Sequence, residues 1–374
     1  MRGACPMSLF EISNRVTYGT CPFQNKQMKC TLIIILFLAQ VFSCSCSKET
    51  PVSLELDQET LSMEVGEVVK LNITQAPQSN ENLLWSSDNE TVATVFFGTV
   101  TALNSGTATI TATLGEQTAQ CVVTVKERKY ELVWSDEFDG DSLNTDDWTY
   151  EIGTGAWGWG NNESQYYTDR SENIRVEDGL LVIEARKEDY EGSQYTSARI
   201  KTAGAQNFTY GKIEVLLKVP SGEGTWPAFW MLGTVGGWPE CGEIDIMEHV
   251  GKEPYNVHCA LHTATKNGMN GQNFSAYQTL EEPVADDFHL ITLEWVENEI
   301  QGYDRMHFYV DGVETATFGE TSQLQESGDW PFNTPFFFIV NLAMGGNWGG
   351  EIDDSIFEQP VLYQLDYIRV YQLK

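Results

Sequence analysis

Glu243, Asp245 and Glu248 place three carboxylates within six residues, Glu243-Ile244-Asp245-Ile246-Met247-Glu248, interleaved with large apolar side chains. Two carboxyl groups on opposite sides of one reacting carbon can divide an acid–base reaction between them. One attacks while the other donates a proton and later takes one from water, which is the working pair of most glycoside hydrolysis. On a β-strand alternate residues share a face, so Glu243 and Asp245 point one way while Ile244 and Ile246 point the other. Glu248 is out of phase. Either a carboxylate is buried without a partner, at a cost of several kcal/mol, or one extra residue bulges the strand. A bulge between Asp245 and Glu248 buries Met247, returns Glu248 to the acidic face, and is the expected solution. The two glutamates then stand roughly 13 Å apart at Cα, and inward-leaning side chains on a curved sheet can bring the carboxyls to about 5–5.5 Å. Asp245, between them, would hold a proton or a hydrogen bond and help separate the neighbouring pKa values. By residue type alone the trio also fits a calcium site or a solvated acidic edge.

The elements that must position these acids read as strands throughout. Trp, Tyr and Phe make up 12% of the chain and there are 32 glycines, so aromatic and β-branched runs are punctuated by turn residues, with no helix-length amphipathic period. Strands are expected at Leu180–Arg186, Ser197–Thr202, Tyr210–Lys218, Ala228–Leu232, Glu243–Glu248, Val257–Thr263, His289–Glu294, Met306–Val310, Phe336–Leu342 and Asp366–Gln372. Two packed antiparallel sheets with a dry inner face and an open concave outer face follow from this pattern. About seven shorter strands between Val52 and Val125 form a separate small β-sandwich, joined by the charged linker Lys126-Glu127-Arg128-Lys129. That segment holds no cluster of acids or exposed aromatics that reads as a site, and is read as a spacer. The fold class is all-β.

The formal net charge of −32 disfavours nucleic acid, anionic membranes and sulfated polyanions, and leaves a neutral partner unaffected. Leu32 to Val41 is an apolar run too short to span a bilayer and shaped like a signal-peptide core, following Met28-Lys29. Val41-Phe42-Ser43-Cys44 resembles a bacterial lipoprotein box, making Cys44 the lipidation candidate, with an ordinary secretory signal as the alternative. Residues 1–27 then read as an over-extended start and 28–47 as signal and tether. The mature protein is expected outside the cytoplasm, lipid-anchored to the outer membrane or cell surface, or else secreted. Cys121, Cys241 and Cys259 remain in the folded part, an odd number without a zinc spacing, and a Cys241–Cys259 disulfide is not favoured by register.

The phrases Leu84-Trp85-Ser86-Ser87-Asp88, Thr91–Val95 and Gly106–Thr113 resemble a bacterial Ig-like domain of group 2, placed at 48–127. Residues 128–374 resemble glycoside hydrolase family 16, specifically its laminarinase-like branch. The matching phrases are Trp134-Ser135-Asp136-Glu137-Phe138, Gly160–Thr168, Ser197-Ala198-Arg199, Tyr210–Glu214, Trp226–Leu232, Gly242–Glu248 and Asp366–Tyr371. The resemblance implies a concanavalin A-like β-jelly-roll and a retaining endo-β-1,3-glucanase, with mixed β-1,3/1,4-glucan as a further substrate. It also implies Glu243 as nucleophile, Asp245 as assisting acid and Glu248 as general acid/base. The extra Met247 matches the bulged laminarinase form; lichenase relatives have one residue fewer.

On strand Trp226–Leu232, Trp226, Ala228 and Trp230 share one face, and the two indoles suit the apolar faces of sugars. Trp238 and Trp348, beside glycines in loops, are weaker candidates of the same kind. On the next strand Asn256, His258 and His262 face the cleft. Histidines roughly 13 Å apart cannot share a metal, so His262 is expected to hydrogen-bond sugar hydroxyls. By resemblance Arg199, Asn161 and Asn162 are sugar contacts. By the same route Glu137 and Gly179, through backbone oxygens, and Asp366, through its carboxylate, would hold a structural calcium; catalysis itself needs no cofactor. The implied partner is a neutral β-glucan, bound by a monomer. Competing readings are a galactan hydrolase of the same family, disfavoured by the acidic charge and the tryptophan phrase, and a glucan-binding protein without catalysis, disfavoured by retention of all three acids.

Overall fold

The computed structural model describes residues 52–300 and 302–374. The segments 1–27 and 28–47, with Cys44, lie outside them. Residues 130–374 build a β-sandwich from a ten-stranded and a seven-stranded sheet. The seven-stranded sheet carries the acids. Along the chain its strands are β1 (Thr149–Tyr150), β2 (Arg199–Lys201), β3 (Thr225–Gly233), β4 (Glu243–Glu248), β5 (Asn256–His262), β6 (Phe274–Thr279) and β7 (Phe336–Met344). Their spatial order is β1-β2-β7-β3-β4-β5-β6, antiparallel at every junction, with β4 flanked by β3 and β5.

The two sheets show two different sequence patterns for one physical reason. In the ten-stranded sheet, Gly211–Lys218 alternates strictly, with Ile213, Val215 and Leu217 buried and Lys212, Glu214 and Lys218 outside, because its outer face meets water. In β7 nearly every side chain is buried: Phe336, Phe338, Val340, Leu342 and Met344 fill the core, while Ile339, Asn341 and Ala343 floor the cleft. A central strand covered on both faces reads as a continuous apolar run. Pro227, inside β3, is tolerated because its carbonyl accepts from the His249 amide on the side where β4 has ended, so no ladder donor is missing there.

The expected bulge is present. On the β3 side Phe229 pairs with Met247 and Trp230 with Asp245; on the β5 side Ala260 pairs with Asp245 and His258 with Glu248. The surplus residue falls between Asp245 and Glu248. Met247 is 1% exposed and packs in the core with Ile244, Phe229 and Leu261. Strands missed in the sequence include Tyr130–Asp136, Gln165–Tyr167, Ile174–Glu177, β6 and Val313–Gly319. β6 (Phe-Ser-Ala-Tyr-Gln-Thr) carries small and polar residues at alternate positions, too weak a period to stand out.

Residues 52–126 form the smaller sandwich. A four-stranded and a three-stranded sheet enclose Met63, Leu71, Ala93, Val100, Ile110, Cys121 and Val123. Here one expectation is corrected. Phe96 and Phe97 are 75% and 71% exposed and lie edge to face, ring centroids 4.5 Å apart. Phe97 and Gly98 both take positive φ, a two-residue turn that carries the rings beyond the core. Cys121, Cys241 and Cys259 are buried free thiols.

Met247→Ala is expected to cost about 2–5 kcal/mol in denaturant unfolding, while the volume-conserving Met247→Leu costs less than about 1.5 kcal/mol. If the alanine variant unfolded at the wild-type midpoint, Met247 would have to face the cleft.

Candidate active site

The register lines the acids up with their neighbours on the concave face. One row crosses the sheet through Arg199, Asn341, Ala228, Glu248, His258 and Tyr277. The next contains Trp230, Asp245 and Ala260, and a third Leu232, Glu243 and His262. Asp245 therefore lies between the two glutamates with its carboxyl buried (3% exposed), and one oxygen each from Glu243, Asp245 and a ring nitrogen of His262 fall within 4.8 Å of one another.

Burial and mutual repulsion govern the charges. Burial first, then the charge of Asp245, pushes Glu243 up to about 8, tempered by His262 and Trp238. Asp245 is itself raised to about 7 by burial. Glu248 is pushed well above the usual carboxylate range, again by burial and then by Asp245, although the Trp226 indole Nε1 donates to its Oε1 at 3.0 Å. Neighbouring carboxyls in a closed site cannot all ionise, so the trio retains protons at neutral pH.

His262 tells how one edge of the trio is held. Its Nδ1 accepts from the Gly268 amide at 3.0 Å, which leaves Nε2 as the ring's N–H. Nε2 stands 3.1 Å from Asp245 Oδ2 and 3.9 Å from Glu243 Oε1. The Asp245 contact is close enough for attraction but off the line of a hydrogen bond, and that oxygen has no other partner. The nitrogen facing the acids thus presents an N–H rather than a lone pair, which suits carboxylates and not a metal ion.

Aromatic side chains wall the acids. Trp348, on the turn Gly346–Gly349 after β7, stands edge to face with Trp226 (5.5 Å between centroids) and with His258 (4.9 Å). Trp238 lies beyond Glu243, 6.4 Å from His262 and 40% exposed. On the other side Trp230 Nε1 donates to Asn341 Oδ1 (2.7 Å), Asn341 Nδ2 to the Tyr167 hydroxyl (3.1 Å), and that hydroxyl to Glu163 (3.2 Å), which also accepts from Gln165 (2.7 Å). Burial raises the Glu163 carboxyl.

Most of the candidates from sequence converge here. Arg199, 9% exposed, lies between the Trp159 and Trp230 rings (4.5 and 4.9 Å) and donates from Nε to Glu151 at 2.6 Å, so it braces Trp230. Asn162 Nδ2 donates to Asn347 Oδ1 at 2.8 Å, tying the Asn161-Asn162 loop to the turn that bears Trp348. Gly346 is required at that junction: φ is +81°, and a Cβ would stand 3.0 Å from the Asn161 carbonyl oxygen. Asp366 lies on the other sheet, in the strand Val361–Leu373, while Glu137 follows its strand Tyr130–Asp136 and Gly179 lies in the turn before Leu180–Tyr190. Asp136 pairs with Ile368 and Leu181 with Leu365, and Asp366 is the bulged residue skipped between the Leu216–Tyr367 and Leu217–Leu365 pairs. The Glu137 carboxylate is held by Arg369 through two hydrogen bonds (3.0 and 2.7 Å). Glu151, Glu163, Tyr167 and Asn341 were not singled out as site residues, and His258 was placed on the cleft face without a role. Asn341 had a signal: it is the one polar residue in the run Phe336–Met344.

Paired carboxyls that share protons on the floor of a tryptophan-walled cleft define a glycosidase-type site. The chain belongs to family 16 of the glycosyl hydrolases, whose family model matches residues 157–368, more than half its length. A bacterial Ig-like domain of group 2 matches residues 52–125. A beta-glucanase of Rhodothermus marinus is 45% identical over 258 residues, 66% of this chain and 87% of that protein. The solved laminarinase of Rhodothermus marinus has a TM-score of 0.60 at 42% identity, over 66% of this chain and 99% of that one. The laminarinase of Flavobacterium sp. UMI-01 has a TM-score of 0.58 at 45% identity, over 65% of this chain and 100% of that one.

Because the fold raises Glu243 from about 4.5 to about 8, the native state keeps a proton there that the unfolded chain has lost, and stability falls as pH rises through that window. Glu243→Gln is therefore expected to melt above wild type at pH 7–8, by roughly 2–4 °C per kcal/mol gained, with the gap closing towards about pH 4. Identical melting curves at every pH would mean that Glu243 carries no such penalty.

Proposed function

We propose that the protein is an extracytoplasmic, retaining endo-glycosidase that hydrolyses β-1,3-glucan of the laminarin type and also mixed β-1,3/1,4-glucan. The observation that carries this reading is the bulged strand, which sets Glu243, Asp245 and Glu248 on one face with burial raising all three. Glu248, pushed well above the usual carboxylate range by burial, keeps its proton and acts as the acid. Glu243, beside Asp245 and 3.9 Å from His262 Nε2, acts as the nucleophile.

A Glu243 oxygen attacks the anomeric carbon while Glu248 gives its proton to the leaving glycosidic oxygen. Asp245 holds a proton against Glu243 and adjusts its charge as the covalent bond forms. Glu248, now a carboxylate, takes a proton from the water that displaces Glu243, and two inversions give net retention. The row from Arg199 to Tyr277 continues across the sheet on both sides of Glu248, as cutting within a polymer requires. Trp226, Trp230, Trp238 and Trp348 supply stacking surfaces, and the charge of −32 favours a neutral polymer over a sulfated one.

We assign two accessory features on the same footing. The carboxylate of Asp366 and the backbone oxygens of Glu137 and Gly179 would supply the oxygen ligands of a structural calcium. Cys44 anchors a monomeric protein to the cell envelope through lipid, with the Ig-like domain as spacer.

Incubation with laminarin, barley mixed-linkage glucan, curdlan and agarose, followed by NMR, is expected to show oligosaccharides from laminarin whose first-formed reducing ends are β-anomers. Initial α-anomers would reject retention, and release from agarose alone would move the assignment to a galactan. Chelation with EDTA should lower the melting temperature of the wild type but not of Asp366→Ala; no effect on either removes the calcium site. Labelled palmitate should be incorporated by cells making the wild type and lost with Cys44→Ser; labelling of both would exclude Cys44 as the acceptor.

A further inference from the structure

Tyr277 is 59% exposed on β6, the edge strand of the catalytic sheet, with its ring on the concave face. Phe274 and Ala276, on the opposite face of β6, pack against the core, so burial accounts for those residues and not for the tyrosine. An exposed aromatic on a sheet edge is a liability unless something covers it.

Its surroundings say what does. Tyr277 pairs in register with His258, and their rings lie 5.3 Å apart. His258 is fixed in orientation by Glu253, 2.9 Å from its Nε2, and stands edge to face with Trp348. Trp348 meets Trp226, and the Trp226 indole holds Glu248. An unbroken ledge therefore runs from the acid Glu248 through Trp226, Trp348 and His258 to Tyr277. At its outer end His258, Ser275, Ala276 and Tyr277 line a hollow of about 340 Å³, within the size range of small-ligand sites.

We infer that Tyr277 and His258 form an outer glucosyl-binding subsite, in which the Tyr277 ring takes the apolar face of a sugar two strands away from Glu248 and the Ser275 hydroxyl meets a sugar hydroxyl. The strand spacing puts this subsite roughly 10 Å from the bond being cut, so only longer chains reach it. It rests on the β-glucan reading above and adds a chain-length preference to it. Tyr277 touches no reacting atom and contributes only binding.

The test is kcat/KM of the full chain on laminari-oligosaccharides of three to seven units, for wild type, Tyr277→Ala and Tyr277→Phe. The wild-type value should climb with length. Tyr277→Ala should lose ground progressively, reaching about tenfold on the longest substrates through a raised KM, while Tyr277→Phe, which keeps the ring, follows wild type. Thermal melting of the alanine variant should match wild type, since the side chain is exposed. A Tyr277→Ala profile that coincides with wild type, or one lowered equally at every length, would overturn the subsite. A wild type inactive on every β-1,3-linked oligosaccharide would instead overturn the glucan reading.

Discussion

Three carboxyls crowded into a cleft where water is scarce repel one another too strongly for all to be charged, and the rest of the catalytic sheet is arranged around that repulsion. Burial raises each acid, and the Asp245 charge raises both glutamates further. In the proposed mechanism the proton so retained is the reagent of the first chemical step. Holding the acids together costs stability, and the surrounding core offsets it: Phe229, Phe338, Met247, Ile244 and Leu261 pack directly beneath them. The stacked Phe229 and Phe338 rings lie 5.2 Å apart under the strands that carry Trp230 and Asn341.

The supports on the two sides of the acids differ in kind. Towards β3 and β7 they are polar and buried, an interlocked set of Trp230, Asn341, Tyr167, Glu163 and Gln165 with Arg199 clamped between two indoles. Such a network fixes geometry because each member would be left unsatisfied if another moved. Towards β5 and β6 they are aromatic edges and faces, which accept a sugar ring at many angles. Under the proposed function one side positions the acids and the other accommodates chain.

Much of this was legible in the amino-acid order. The phase error at Met247 predicts a bulge, and the observed pairing has one, because a strand must choose between a buried methionine and a buried glutamate. Alternation likewise separated Trp226 and Trp230 from Phe229 and Met231. Legibility failed where partners come from distant parts of the chain. The Asn341–Tyr167 bond joins residues 174 apart, and no local period foretells it. Arg199 was expected as a sugar contact; that its guanidinium also holds Glu151 and two tryptophans is visible only once β2 and the 158–162 loop are brought together. β6 escaped notice because an edge strand need satisfy only one neighbour and tolerates a weak pattern.

That Glu243 forms the covalent bond can be tested most directly by trapping. A 2-deoxy-2-fluoro-laminaribiosyl donor with a good leaving group should inactivate the protein, and peptide mass spectrometry should locate a single glycosyl adduct on Glu243. An adduct on Asp245 or Glu248, or turnover of laminarin with no trappable adduct, would contradict the assignment.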